Sequence, residues 1–342
     1  MANVELPAEL EPNSLFRSFH LCSSLFPRPA RASIQPGVHL PQGPTVYNDQ
    51  LFEQQRAWAE GALTTARNIL PEMSPVATFA EWGPVQRQTL SWMLSASART
   101  SESALLLCAW GQLWDAEVLV RSVLEGTLKF AYMLQARETF EERHREYTED
   151  LFDISRLKDH RKALDLLDSV RDPDGDEWRP IRDLLLSEEE VAEISGRLDK
   201  AARRALETRW GFTGLVGSLS RSGDPYFRGL GALAHSYSLA SHIQHADKHG
   251  TSIPLDRDLR SAERRDTMHL THEGRLLSDV LHFLFVRLAV GYRFVGADSA
   301  RLVTIKARID EACEPFRQAT ENWYSIEFGE VGQQSRPGSA SP

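Results

Sequence analysis

Apolar residues recur along this chain at steps of three and four and almost nowhere at alternate positions. Phe140, Tyr147, Leu151 and Ile154 mark one buried stripe on a long charged helix expected from Glu138 to Val170. The same periodicity predicts a helix from Asn48 to Leu70, stopped by Pro71. A second starts at Pro84, a favoured first-turn position, and runs to Trp110; a third spans Asp115 to Gln135. Ser187 with Glu190 spells a capping box for a helix reaching Arg209. Gly211, Gly214, Gly217 and Gly223 then loosen the chain, and Asp224-Pro225 opens a helix that ends at Gly250. Helices from Asp256 to Phe294 and from Asp298 to Trp323 close the fold. No segment shows sustained strand alternation with hairpin turns. The expectation is an all-α fold, one helical domain over residues 46–329, built as a bundle or array of about seven to nine helices.

The ends differ from this body. Pro7, Pro12, Pro27, Pro29, Pro36, Pro41 and Pro44 exclude a long helix over residues 1–45. That stretch reads as an extended arm, docked through Leu15, Phe16, Phe19 and Leu25. Residues 330–342 have the composition of a disordered tail. The N-terminus carries Glu5, Glu9 and Glu11 with no basic, then apolar, run, which predicts no signal peptide. Asp279, His282 and Arg287 interrupt the greasiest segment, Leu276 to Val290, so no membrane span is expected.

Composition changes this picture little. A net charge of -9 gives no global pull toward nucleic acid or anionic membrane, while a local basic patch stays open. Cys22, Cys108 and Cys313 are far apart and form no CxxC, so they predict neither a disulfide nor a zinc site. A reducing, cytoplasmic compartment fits them, with Cys108 a small buried hydrophobe inside Ala104–Trp110.

The helix expected over 115–135 is apolar on most of its surface, yet carries Glu117, Arg121, Glu125 and Lys129 four apart. Two readings stand. Alternating charges at this spacing support one another on a solvated face. Alternatively, Arg121 and Glu125 face an internal cleft, where a guanidinium oriented by a carboxylate binds an anion.

Downstream, His235, His242, His245 and His249 follow at steps of seven, three and four. They suit the negative end of a helix as packing residues. His242 also suits general acid–base work, with Tyr237 or Ser241 assisting. A metal site would join His242 and His245 to Glu141 and His144, the one Glu-x-x-His of another helix, but the second such motif of a di-iron bundle is missing. No Walker loop, GxGxxG, GxSxG or HExxH occurs, and no cofactor is expected.

Arg264 to His269 is Arg-x4-His and Arg265 to His272 is Arg-x6-His, spacings used by helical HEPN ribonuclease domains, though Arg137–His144 and Arg228–His235 match equally. The run Arg121-Ser122-Val123-Leu124-Glu125, the charged stretch Glu141–Tyr147 and the Ser/His-rich Tyr237–His245 together resemble a bacterial domain-of-unknown-function family of helical proteins. The resemblance covers residues 85–295 and implies a helical fold with a shared polar cluster, distantly HEPN-like.

The leading expectation is a site of Arg121, Glu125 and His242, supported by Tyr147, Ser241 and His245, that binds or hydrolyses an anionic, phosphate-bearing ligand, RNA included. Arg264 and His269 are the alternative catalytic pair. A non-catalytic scaffold and a metal-dependent bundle are the other classes, and the stripe on the 138–170 helix serves either the core or a second copy in a homodimer.

Overall fold

The structure, a computed structural model, describes residues 48–227 and 230–329. The expected arm and tail lie outside them. Twelve helices longer than one turn occur among the described residues, and no strand. They are α1 (Asp49–Ile69), α2 (Pro84–Ala109), α3 (Leu113–Met133), α4 (Arg137–Arg145), α5 (Leu151–Ser169) and α6 (Glu188–Arg197). Then follow α7 (Lys200–Trp210), α8 (Phe212–Arg221), α9 (Leu233–Gln244), α10 (Lys248–Asp258), α11 (Ala262–Val295) and α12 (Ala300–Phe328). The all-α expectation holds, but the count exceeds seven to nine. Asp199 breaks the helix expected to Arg209, capping α7 through the Ala202 amide at 2.8 Å. The glycine-rich stretch after Gly211 forms α8 instead of a loop. The helix expected from Pro225 to Gly250 divides into α9 and α10.

Among the described residues the chain divides into two compact units, one of residues 48–131 and 219–329, the other Tyr132–Ser218.

The first unit is organised by α11. Its residues 271–292 are all buried, polar ones included. A helix buried on every side belongs at the centre of a unit, and α12, α1 and α2 pack against it. Leu276, Leu277, Leu281 and Leu288 supply core volume with Leu105, Leu90, Ile69, Ile309 and Trp323 from the surrounding helices. Cys108 is 1% exposed, and burial pushes its thiol pKa well up, as expected of an inert packing residue. No helix among the described residues is long and apolar enough to cross a membrane.

In the second unit, α4 and α5 are joined without a break by a π-helical turn, Glu146–Asp150. Its two acids are buried: Glu146 accepts from Trp210 Nε1 at 2.8 Å and from Arg209, and Asp150 from Arg145 at 2.8 Å. Phe140 and Ile154 of the predicted stripe are buried, while Tyr147 and Leu151 beside the π turn are half-buried. The capping box forms as expected: Ser187 accepts from the Glu190 amide at 3.2 Å and Glu190 from the Ser187 amide at 2.9 Å.

Candidate functional site

The four charges of α3 do not share one fate. Glu117 is 2% exposed and turns to α11. Arg121 and Glu125 are half-buried and turn to α9, and Lys129 is half-buried. A single solvated ladder is therefore not formed. The helical turn of 100° per residue sweeps positions four apart through about 40° each step, so the first and last members face different neighbours.

Tyr237 of α9 organises the middle pair. Arg121 Nη2 donates to Tyr237 Oη at 2.7 Å, and Tyr237 Oη donates to Glu125 Oε1 at 2.8 Å. Arg121 Nη2 also lies 3.2 Å from Glu125 Oε1. The guanidinium carbon sits 4.3 Å from the centre of the Tyr237 ring, within cation–π range. Arg121 Nη1 donates to Gln244, whose amide is exposed. Burial, reinforced by the hydrogen bond to Glu125, raises the Tyr237 pKa, so the phenol stays neutral and acts as a relay of orientation. Tyr237 and Gln244 are seven apart, hence on one face of α9.

His242 lies elsewhere. Five residues past Tyr237, it is rotated by about 140° on an ideal helix, and the contacts it makes are with Asp247 and His249. His242 Nδ1 is 2.5 Å from Asp247 Oδ2, and the His242 and His249 rings meet nearly edge-on at 5.0 Å. Asp247 is also the N-cap of α10, its Oδ1 accepting from the amides of His249 and Gly250 at 2.9 Å each. The hydrogen bond from His242, followed by that from Gly250, holds the Asp247 carboxyl below its ordinary pKa. An ionised Asp247 requires Nδ1 to be the donor, which leaves Nε2 for exchange with a ligand.

The corner that makes this pair is tight. Ala246 adopts a φ of 47°, in the left-handed region that side chains other than glycine rarely enter. Gly250 is required by contact: a Cβ there would lie 2.1 Å from the His242 carbonyl oxygen. Gly250 was expected to end a helix and instead lets α10 start against the end of α9. Ser241 is half-buried and lies about 40° from Tyr237 on the α9 wheel. His245 is exposed just past the helix end. Tyr147 belongs to the second unit, where its ring packs 5.4 Å from Trp210. His235 has no described side chain.

Arg264 and His269 do not meet. Arg264 is half-exposed with Glu327 at 3.9 Å, whereas His269 is buried. Five residues apart on α11, they too are separated by about 140°. Burial, then the charge of Arg257, pushes His269 down to about 3, so it is neutral at physiological pH.

Sequence reasoning missed a second polar centre, on the buried side of α11. His272 Nε2 is 2.9 Å from Glu117 Oε2, Arg275 donates to the same oxygen, and Arg275 Nη1 reaches Asp279 at 3.0 Å. The Trp114 ring covers His272 at 4.6 Å, and Arg257 lies over the other ring system of this stack at 4.8 Å from Trp114. Burial opposes ionisation of Glu117, but Arg275 and His272 outweigh it and hold the carboxyl below its ordinary pKa. Burial drives His272 down to about 4 in spite of Glu117. It raises Asp279 to about 7 and Glu273 to about 9. Glu273 is fully buried; neither carboxyl oxygen makes a hydrogen bond among the described residues, and Gln55 is its polar neighbour. Only the Arg275–Asp279 spacing of four gave a sequence signal for this centre.

Among the described residues no group of three or more His, Cys, Asp or Glu is placed to hold a metal ion. Glu141 and His144 belong to the second unit, His242 and His245 to the first. No family model, curated protein or solved structure matches the chain.

Proposed function

We propose that the first unit binds an anionic, phosphate-bearing ligand, RNA included, on the face formed by α3 and α9. Arg121 is the anion contact, Glu125 and Tyr237 orient it, and His242, held by Asp247, carries a proton. The reading rests on the fixed guanidinium, stacked 4.3 Å over Tyr237 with Glu125 and Gln244 on its nitrogens. A guanidinium already immobilised loses little freedom on meeting a phosphate. The contact a ligand would replace is the exposed Gln244 amide, leaving Glu125 and Tyr237 in place.

His242 would use Nε2 to take the proton of an attacking hydroxyl, with Asp247 balancing the imidazolium that forms, and return it to the leaving oxygen. Tyr237 and His242 lie about 140° apart on α9, so a single ligand reaches both only by following the helix surface, as an extended anion would.

The test is a labelled oligoribonucleotide in EDTA. Arg121→Ala should weaken binding by about tenfold or more, the loss of one charge-assisted contact. His242→Ala should leave binding intact and slow cleavage by about 10²–10⁴. Binding unchanged by the first variant and cleavage unchanged by the second would sink the reading.

One observation favours a second reading. Arg121 already has three partners from the protein itself. If the cluster only ties α9 to α3, Arg121→Ala destabilises the fold by about 2 kcal/mol in denaturant melts and changes no ligand binding.

A further inference from the structure

α2 and its C-cap Trp110 carry an apolar stripe that faces away from the core, interrupted in its middle by the exposed Ser95, Arg99 and Ser103. Val85, Trp92, Leu106 and Trp110 are 60%, 66%, 48% and 64% exposed. On an ideal helix these positions fall within about 60° of one another. The opposite side of α2 carries Leu90, Met93, Ala104 and Cys108, all buried. Packing of this unit thus accounts for one side of the helix and leaves two indoles on the other in water, the kind of patch that marks an interaction surface.

We infer that this stripe is the docking surface for the N-terminal arm of the same chain, covered by Leu15, Phe16, Phe19 and Leu25. The point of entry supports this. α1 starts at Asp49, and its Phe52 ring lies 6.1 Å from the Trp110 ring, so the arm joins the fold beside one end of the stripe. The reach is ample. Trp110 to Val85 is about 38 Å along the helix axis, and a proline-rich tether from Leu25 to Asn48 spans up to about 70 Å.

Tethering separates the arm from a second copy. With a whole indole at up to ~250 Å², the four exposed side chains offer roughly 500 Å². A second copy would bury about 800 Å² on each partner, so it would also have to fit the polar surface around these four side chains. A tethered segment needs less, because its effective concentration is in the millimolar range.

The test places photoreactive benzoylphenylalanine at position 92 of the full chain and irradiates a mixture of unlabelled and ¹⁵N-labelled protein, with mass spectrometry of the cross-linked peptides. The expected result is a cross-link from position 92 to residues 15–25 carrying a single isotope label. Combining Phe16→Ser with Phe19→Ser should lower its yield by about tenfold, the loss of two buried aromatic rings. Mixed-label cross-links would instead assign the stripe to a second copy. Absence of arm peptides from the products would likewise overturn the proposal.

Discussion

Two histidine–carboxylate pairs sit in opposite surroundings in the first unit. His272 meets Glu117 at 2.9 Å, with side chains 4% and 3% exposed. His242 meets Asp247 at 2.5 Å at a helix corner, with side chains 41% and 45% exposed. The pairing is the same and the consequence is not. In the core, loss of water outweighs the attraction of Glu117 and keeps His272 neutral down to about pH 4, so the pair cannot exchange protons near neutrality. It serves instead to satisfy Arg275, whose charge needs a carboxylate wherever water is excluded. At the corner, solvent reaches the imidazole, and the carboxylate's work is to fix its orientation. A short His–carboxylate distance alone therefore does not identify a chemical site.

The largest test of that contrast is removal of each carboxylate. Glu117→Ala leaves Arg275 and His272 buried without the oxygen they share, and should cost about 3–5 kcal/mol in urea denaturation. Asp247→Ala should cost far less stability while abolishing the proton chemistry proposed for His242. A similar loss of stability in both variants would erase the distinction.

Next in size is the pH dependence of the core. The Glu273 carboxyl has an ordinary value of 4.5 and is pushed up to about 9 in the fold. Between those values the unfolded chain has released this proton and the folded chain has not, so stability falls as pH rises. Glu273→Gln should remove that slope above pH 7 and add up to about 3 kcal/mol at pH 7, while Asp279, pushed up from 3.8 to about 7, keeps a slope of the same sign below pH 7. His269 and His272, held down to about 3 and about 4 from an ordinary 6.5, act in the opposite direction. The unfolded chain takes up their protons as pH falls below 6.5, so an acid-side loss of stability should persist in the variant. Denaturant melts across pH 4–9 give both slopes.

The smallest effect sharpens the corner. Ala246→Gly relieves the left-handed backbone at φ 47° and should stabilise by about 0.5 kcal/mol, the relief of strain less the added freedom of the unfolded chain. Thermal melting measures it.

Much of the helical plan was legible because it depends on local signals. Pro84, Ser187 with Glu190, and the three–four spacing around Phe140 act within a turn or two of themselves. The glycines after Gly211 misled because glycine signals loosening and also close approach. Gly214 is of the second kind: a Cβ there would lie 2.0 Å from the Thr208 carbonyl oxygen, so α8 forms with glycine at the contact. The division of α9 from α10 was hidden because it turns on Asp247 capping α10 at a corner, which the periodicity of the stretch does not mark. Arg121 and Glu125 were recognisable from their four-residue spacing on a greasy helix. Their tie to Tyr237, more than a hundred residues on, was not, since periodicity shows which face a residue occupies and not what arrives there. The buried centre at Glu117 was the least legible. A run such as His272-Glu273-Gly274-Arg275 reads as solvent-facing in any local window, and only the enclosure of α11 by its neighbours reverses that.

The π turn at Glu146–Asp150 gives the second unit an arithmetic of its own. A stretch wound at five residues where four would close a regular turn holds one residue more than an unbroken α-helix. Everything after it, including the buried Ile154, Leu157 and Ala163, is thereby rotated by about 100° relative to α4. Glu146 and Asp150 thus act as a spacer in the chain as well as partners of arginine. The inward face of α4 and the inward face of α5 are aligned with each other only at this chain length, so along this stretch the count of residues is as much a part of the fold as their chemistry.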